Sequence, residues 1–104
     1  MSNTIELMIT ISEVLKKEGI VRRELQVLED GILSHTINIP ELGGTQICPL
    51  SVDEAATITI ELRDIDKDGG MSAPLVYEFV IVDDFVKNKS DIFDVKILRD
   101  SPCD

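Results

Sequence analysis

The chain contains no tryptophan, one tyrosine and three phenylalanines among its 104 residues. A core built from it must therefore be aliphatic, made of Ile, Val and Leu. Basic residues are also scarce: ten Lys and Arg stand against twenty Asp and Glu, for a formal net charge of -10. The imbalance is the same along the chain, with ten acids and five bases in residues 1–63 and ten and five again in residues 64–104. No basic patch is segregated. Such a surface repels phosphate backbones and anionic headgroups, which argues against nucleic-acid and membrane-surface binding. One histidine and two cysteines are too few for a His/Cys metal cluster or a disulfide framework. No apolar run approaches the roughly 20 residues that span a bilayer. The start Ser2-Asn3-Thr4-Ile5-Glu6 has neither the basic residues nor the apolar stretch of an export signal. The expectation is a soluble protein with no secretory route of its own.

What the chain does have is apolar content of 43%, too high for a disordered acidic polymer. Its length fits one globular domain over residues 1–104, with 99–104 expected as a flexible tail. Cys48 lies between Ile47 and Pro49, and Cys103 is one residue from the end. A single bridge between them would tie down that tail. Two free thiols is the favoured reading, because a terminal segment frays.

Period-two alternation is the dominant pattern and it recurs. Ile5, Leu7, Ile9 and Ile11 share one face of an extended segment, with Glu6, Thr10 and Ser12 on the other. The continuation Glu13 to Gly19 reads as a strand end and a turn at Lys16 to Gly19, with a short helical turn at Val14 to Glu18 as the alternative. Val21–Leu28 and Ile32–Ile39 form a hairpin across Glu29-Asp30-Gly31. A two-residue Asp-Gly turn sets Leu28 against Leu33 but Val27 against Ser34, which splits the apolar residues between faces. A three-residue loop sets Val27 against Leu33, Leu25 against His35 and Arg23 against Ile37, and is the expected register. Pro40 to Pro49 reads as a loop that changes sheet or runs along a sheet edge, since proline cannot donate to a central ladder. Further strands are expected at Thr57–Arg63, Leu75–Val82 and Ile92–Leu98. Leu75–Val82 is apolar on nearly both faces, the mark of a central or covered strand. Six strands and no helix longer than two turns predict an all-β antiparallel β-sandwich, with six to eight strands as the range.

Chemistry-bearing residues are few. Asp64-Ile65-Asp66-Lys67-Asp68-Gly69-Gly70 resembles the first half of a calcium loop, in which alternate oxygens converge on the ion and Gly makes the turn. The second half does not match, because Leu75 stands where a bidentate Glu is needed. Asp64, Asp66 and Asp68, joined by Asp83 or Asp84, are the candidate calcium ligands; otherwise Asp and Gly here serve turn geometry. His35 is expected as a packed or edge residue with one hydrogen bond. Neither a metal set nor a nucleophile-base pair assembles around it, and Cys48 has no Gly-x-Cys elbow to make it a nucleophile. Gly43-Gly44-Thr45 has no following Lys and opens no helix, so it is no phosphate loop. Asp53-Glu54 reads as a solvated pair, and Asp83-Asp84 as a strand stop. No catalytic residue and no cofactor site is assigned, and the chain is expected not to be an enzyme.

The stretch Ala56 to Phe85 runs strand, Asp64-x-Asp66-x-Asp68-Gly69-Gly70-x-Ser72-Ala73-Pro74, strand, Val82-Asp83-Asp84. In this it resembles the last hairpin of fibronectin type III-like and bacterial immunoglobulin-like modules. Gly70 stands in place of the family's asparagine, the core tryptophan is missing, and Phe93–Leu98 adds a strand. The resemblance implies an immunoglobulin-like sandwich and a non-enzymatic structural or interaction role. Modules of this kind occur in virion proteins of tailed bacteriophages. The implied role is a capsid decoration (cement) protein or a tail or fibre component, assembled in the host cytoplasm, with major capsid or tail subunits or further copies of the chain as partners. Pro40–Pro49 and the terminal segments are the expected contact regions, since Ile47, Leu50 and Val52 fall outside clear alternation. The alternatives are an acidic inhibitor or immunity protein that blocks a basic enzyme, and a calcium-dependent adhesion module.

Overall fold

A computed structural model describes residues 4–11, 19–40 and 45–98. These form eight strands: β1 (Thr4–Ile11), β2 (Ile20–Glu29), β3 (Ile32–Ile39), β4 (Gln46–Asp53), β5 (Ile58–Asp66), β6 (Leu75–Val82), β7 (Phe85–Lys87) and β8 (Phe93–Leu98). They build two antiparallel sheets, one ordered β4-β1-β8 and the other β3-β2-β5-β6-β7. No helix occurs among the described residues, so none there is long and apolar enough to cross a membrane. The expected turn or helix around Val14 to Glu18, the tail 99–104 and Cys103 lie outside the described residues.

Alternation determines which face each strand buries. Leu7, Ile9 and Ile11 of β1 point inward, as do Leu25 and Val27 of β2 and Ile58, Ile60 and Leu62 of β5. These residues join Tyr77, Phe79 and Phe93 in one apolar cluster drawn from both sheets. The all-β sandwich expected from the pattern is the observed architecture.

Two strands escape the expected six. β4 reads Gln-Ile-Cys-Pro-Leu-Ser-Val-Asp, and its inward residues are Cys48, Leu50 and Val52. Pro49 masks the pattern, yet it is tolerated because β4 is an edge strand paired only with β1. The chain thus changes sheet after β3 and then follows an edge, as its prolines imply. Leu50 and Val52, expected at a contact surface, are buried, and Ile47 alone of the three is exposed. β7 is a three-residue strand folded back on β6 by Asp83-Asp84, both with positive φ. The strand stop read there is a tight hairpin turn.

The β2–β3 register differs from the expected one. Asp30 (φ 52) and Gly31 (φ 82) form a two-residue turn that sets Glu29 against Ile32 and Leu28 against Leu33. A bulge at Ser34 then places Val27 against His35, Leu25 against Ile37 and Arg23 against Ile39. The extra residue returns the apolar residues beyond it to the inner face, so the tight turn and a continuous core coexist. Ser34 Oγ donates to the Val27 carbonyl at 3.2 Å within the bulge. Leu33 is left on the outer face beside Leu28, away from His35 and Ile37.

Candidate interaction surface

The Asp64–Asp68 segment is organised for the turn between β5 and β6. Asp66 Oδ1 accepts hydrogen bonds from the Asp68 and Gly70 amides at 2.9 and 2.8 Å. Asp64 instead faces inward, where Arg23 Nε donates to its Oδ1 at 3.1 Å. A Cβ on Gly70 would lie 2.6 Å from Asp66 Oδ2, so a larger residue there would have to push the Asp66 carboxylate aside. Asp83 and Asp84, expected to join these carboxylates, sit at the other end of β6, eight residues away at roughly 3.3 Å per residue. The topology overturns that grouping. Among the described residues, no group of three His, Cys, Asp or Glu is placed to hold a metal ion.

His35 points inward from β3, and its Nε2 lies 2.8 Å from the Ser51 carbonyl of β4. This contact ties the edge of one sheet to the edge of the other. The one-bond edge histidine expected from the pattern is what the geometry contains. Cys48 is a free, buried thiol, and burial pushes its pKa up.

The outer face of β6 is where the molecule departs most from a conventional surface. Val76 is 60% exposed and Val82 44%, and Phe85, directly opposite Val82 on β7, is 70% exposed. Val80, half-buried, adjoins Val82 on this face, while the exposed Glu78 separates it from Val76 and the exposed Lys87 stands opposite it on β7. The strand is central in its sheet as expected, but its second apolar face is not covered by any described residue. Asp83-Asp84 creates this arrangement by turning the chain back, which places Phe85 in register with Val82.

The opposite layer ends at β8, and between β7 and β8 lies a cleft of about 450 Å³. Tyr77, Val86, Phe93, Val95 and Ile97 line its apolar part, with Lys89, Asp94 and Lys96 among its polar lining. The Tyr77 and Phe93 rings stack at 5.7 Å between centroids, nearly parallel. Tyr77 donates its hydroxyl hydrogen to the Asn88 carbonyl, and Ser90 Oγ accepts the Ile92 and Phe93 amides. These bonds hold the segment that carries the chain from β7 to β8. Burial, and secondarily the negative charge of Asp94, push the Tyr77 phenol above its ordinary value.

Comparison with protein-family models, with curated proteins and with solved structures finds no match to this chain.

Proposed function

We propose that the chain is a non-enzymatic docking module, a repeated structural component of a protein shell, with the virion of a tailed bacteriophage as its setting. The observation that carries this reading is the apolar cluster of Val80, Val82 and Phe85 on β6 and β7, which no described residue covers. Soluble monomers seldom leave a contiguous apolar patch open unless it binds something. Aromatic side chains are preferred anchors at protein interfaces, and Phe85 is placed as one, flanked by Val80 and Val82. The excess of acidic residues elsewhere keeps crowded copies soluble and sets them apart electrostatically. The reading takes capsid or tail subunits as the partner surface, with the patch docked and the charged faces turned to water.

The ladder order adds support for the immunoglobulin-like resemblance. In such sandwiches the second and fifth strands pair in one layer, beside the first, while the third, sixth and seventh share the other. Here β1 pairs with β4, and β2, β5 and β6 lie side by side. Counted with a shift of one strand, the β1–β4 pair and the β2-β5-β6 run match that order, while β3, the fourth by that count, lies beside β2 and not beside β4.

The test is gel filtration and electron microscopy of the purified chain mixed with candidate shells. Decoration of a shell, lost in Phe85→Asp at unchanged melting temperature, is the expected result. A chain that binds no assembly at any concentration contradicts the proposal. An inhibitor of a basic enzyme would instead lose affinity steeply as salt rises.

A further inference from the structure

The four sheet edges are not equivalent. On one side of the sandwich, His35 of β3 bonds Ser51 of β4, and Pro49 removes an amide from the β4 edge. On the other, β7 is only three residues long, and β8 presents a six-residue edge with no ladder partner among the described residues. Five strands face three, and the cleft of about 450 Å³ lies alongside β8 and above β7. Unpaired edges of this kind are templates for an added strand.

We propose that the β8 edge accepts an extended segment of a partner protein, added antiparallel as a fourth strand of the small sheet. This inference rests on the docking reading and names the element the partner supplies. The chemistry of the segment follows from β8. Phe93, Val95 and Ile97 face inward into the cleft, and Asp94 and Lys96, both exposed, alternate with them along its rim. An added strand must therefore alternate, with apolar side chains entering the cleft, a basic residue opposite Asp94 and an acidic residue opposite Lys96. Opposite charges directly across a ladder are favourable, and like charges there are unfavourable. A one-residue slip would turn the apolar set to water, so the register is determined. β8 itself reads Asp-Val-Lys, and run antiparallel it satisfies its own requirement when Lys meets Asp94 and Asp meets Lys96.

The probe is accordingly a peptide with the sequence of residues 92–98, Ile-Phe-Asp-Val-Lys-Ile-Leu, titrated into the full chain. The control peptide exchanges its aspartate and lysine. Tyr77 is the only tyrosine of a chain without tryptophan, and it lines the cleft, so its fluorescence reports occupancy. Amide exchange on residues 93–98 reports pairing independently. The first peptide is expected to bind about tenfold more tightly than the control, since two cross-strand pairs change from attraction to repulsion. In the double variant Asp94→Lys with Lys96→Glu, whose changes fall on exposed side chains, the preference reverses. Equal binding of both peptides, an unreversed preference, or no binding at millimolar peptide overturns the proposal. If the double variant still decorates a shell in a Phe85-dependent way while neither peptide binds, strand addition falls and the docking reading stands.

Discussion

Arg23 and Asp64 stand directly opposite each other on β2 and β5, and they form an ion pair on the inner face of the five-stranded sheet. Arg23 is only 3% exposed. Removing one partner of a buried pair leaves an uncompensated charge, which costs far more than the pair contributes. Asp64→Ala should therefore lower unfolding free energy by about 3 kcal/mol. Replacing both, Arg23→Met with Asp64→Leu, should recover most of that loss. Urea titrations of the three chains check the prediction, and a double variant no better than the single one refutes it.

The Asp30-Gly31 turn makes a second, smaller prediction. A Cβ on Gly31 would meet nothing within 4 Å, so Gly31→Ala isolates the backbone penalty of φ 82. A loss of about 1 kcal/mol is expected. Asp30→Ala adds no Cβ, since aspartate already carries one at φ 52, and should lose about 1 kcal/mol with the hydrogen bond that Asp30 Oδ1 accepts from the Thr57 amide at 2.9 Å. A chain with Asp30→Ala as stable as the parent would show that this side-chain bond contributes nothing.

This turn also marks where the sequence was legible and where it was not. Six strands, their inward faces and the sandwich class follow from period-two alternation, because the same side chains that alternate are the ones buried. β4 was hidden by Pro49, which is compatible with a strand only at an edge, and edge position is a property of the whole fold. The β2–β3 register turned on one extra residue at Ser34, and a bulge leaves no distinct signal in an apolar pattern. The same limit applies to β6: its two nearly apolar faces announce a central or covered strand, and only the assembled sheet reveals that no described residue covers Val76 and Val82. The acidic loop read more clearly as turn chemistry than as a metal site, since Asp66 and Gly70 serve each other.

Alkaline pH should weaken the fold, and the sign follows from two buried acids. Burial raises Cys48, and burial with the charge of Asp94 raises Tyr77. Each group holds its proton more tightly folded than unfolded. Their stabilising effect is complete below the ordinary thiol and phenol values, roughly 8.5 and 10, and is lost as pH rises through the folded ones. The melting temperature should thus fall with pH above about 8.5, less steeply in Cys48→Ala. Asp94→Asn should bring the Tyr77 titration part of the way down, because burial is the larger cause and remains. Absorbance of the single phenolate follows it directly, and an unmoved titration would dissociate Asp94 from Tyr77.

Phe79 and Phe85 give the sharpest separation of folding from docking. Phe79 is 1% exposed, packs within 5.2 Å of the Tyr77 ring between centroids, and lies opposite Ile58 in the core. Phe79→Ala should cost about 3 to 5 kcal/mol, most of the stability of a domain this small. Phe85, 70% exposed, has little contact to lose, so Phe85→Ala should stay within about 0.5 kcal/mol of the parent. Its effect should fall instead on assembly, where truncating a central aromatic anchor commonly costs about 2 kcal/mol or more. Thermal melts and shell-binding titrations on the same two chains decide the matter. If Phe85→Ala leaves shell affinity intact, the β6–β7 face is not the docking surface, whatever the chain is found to bind.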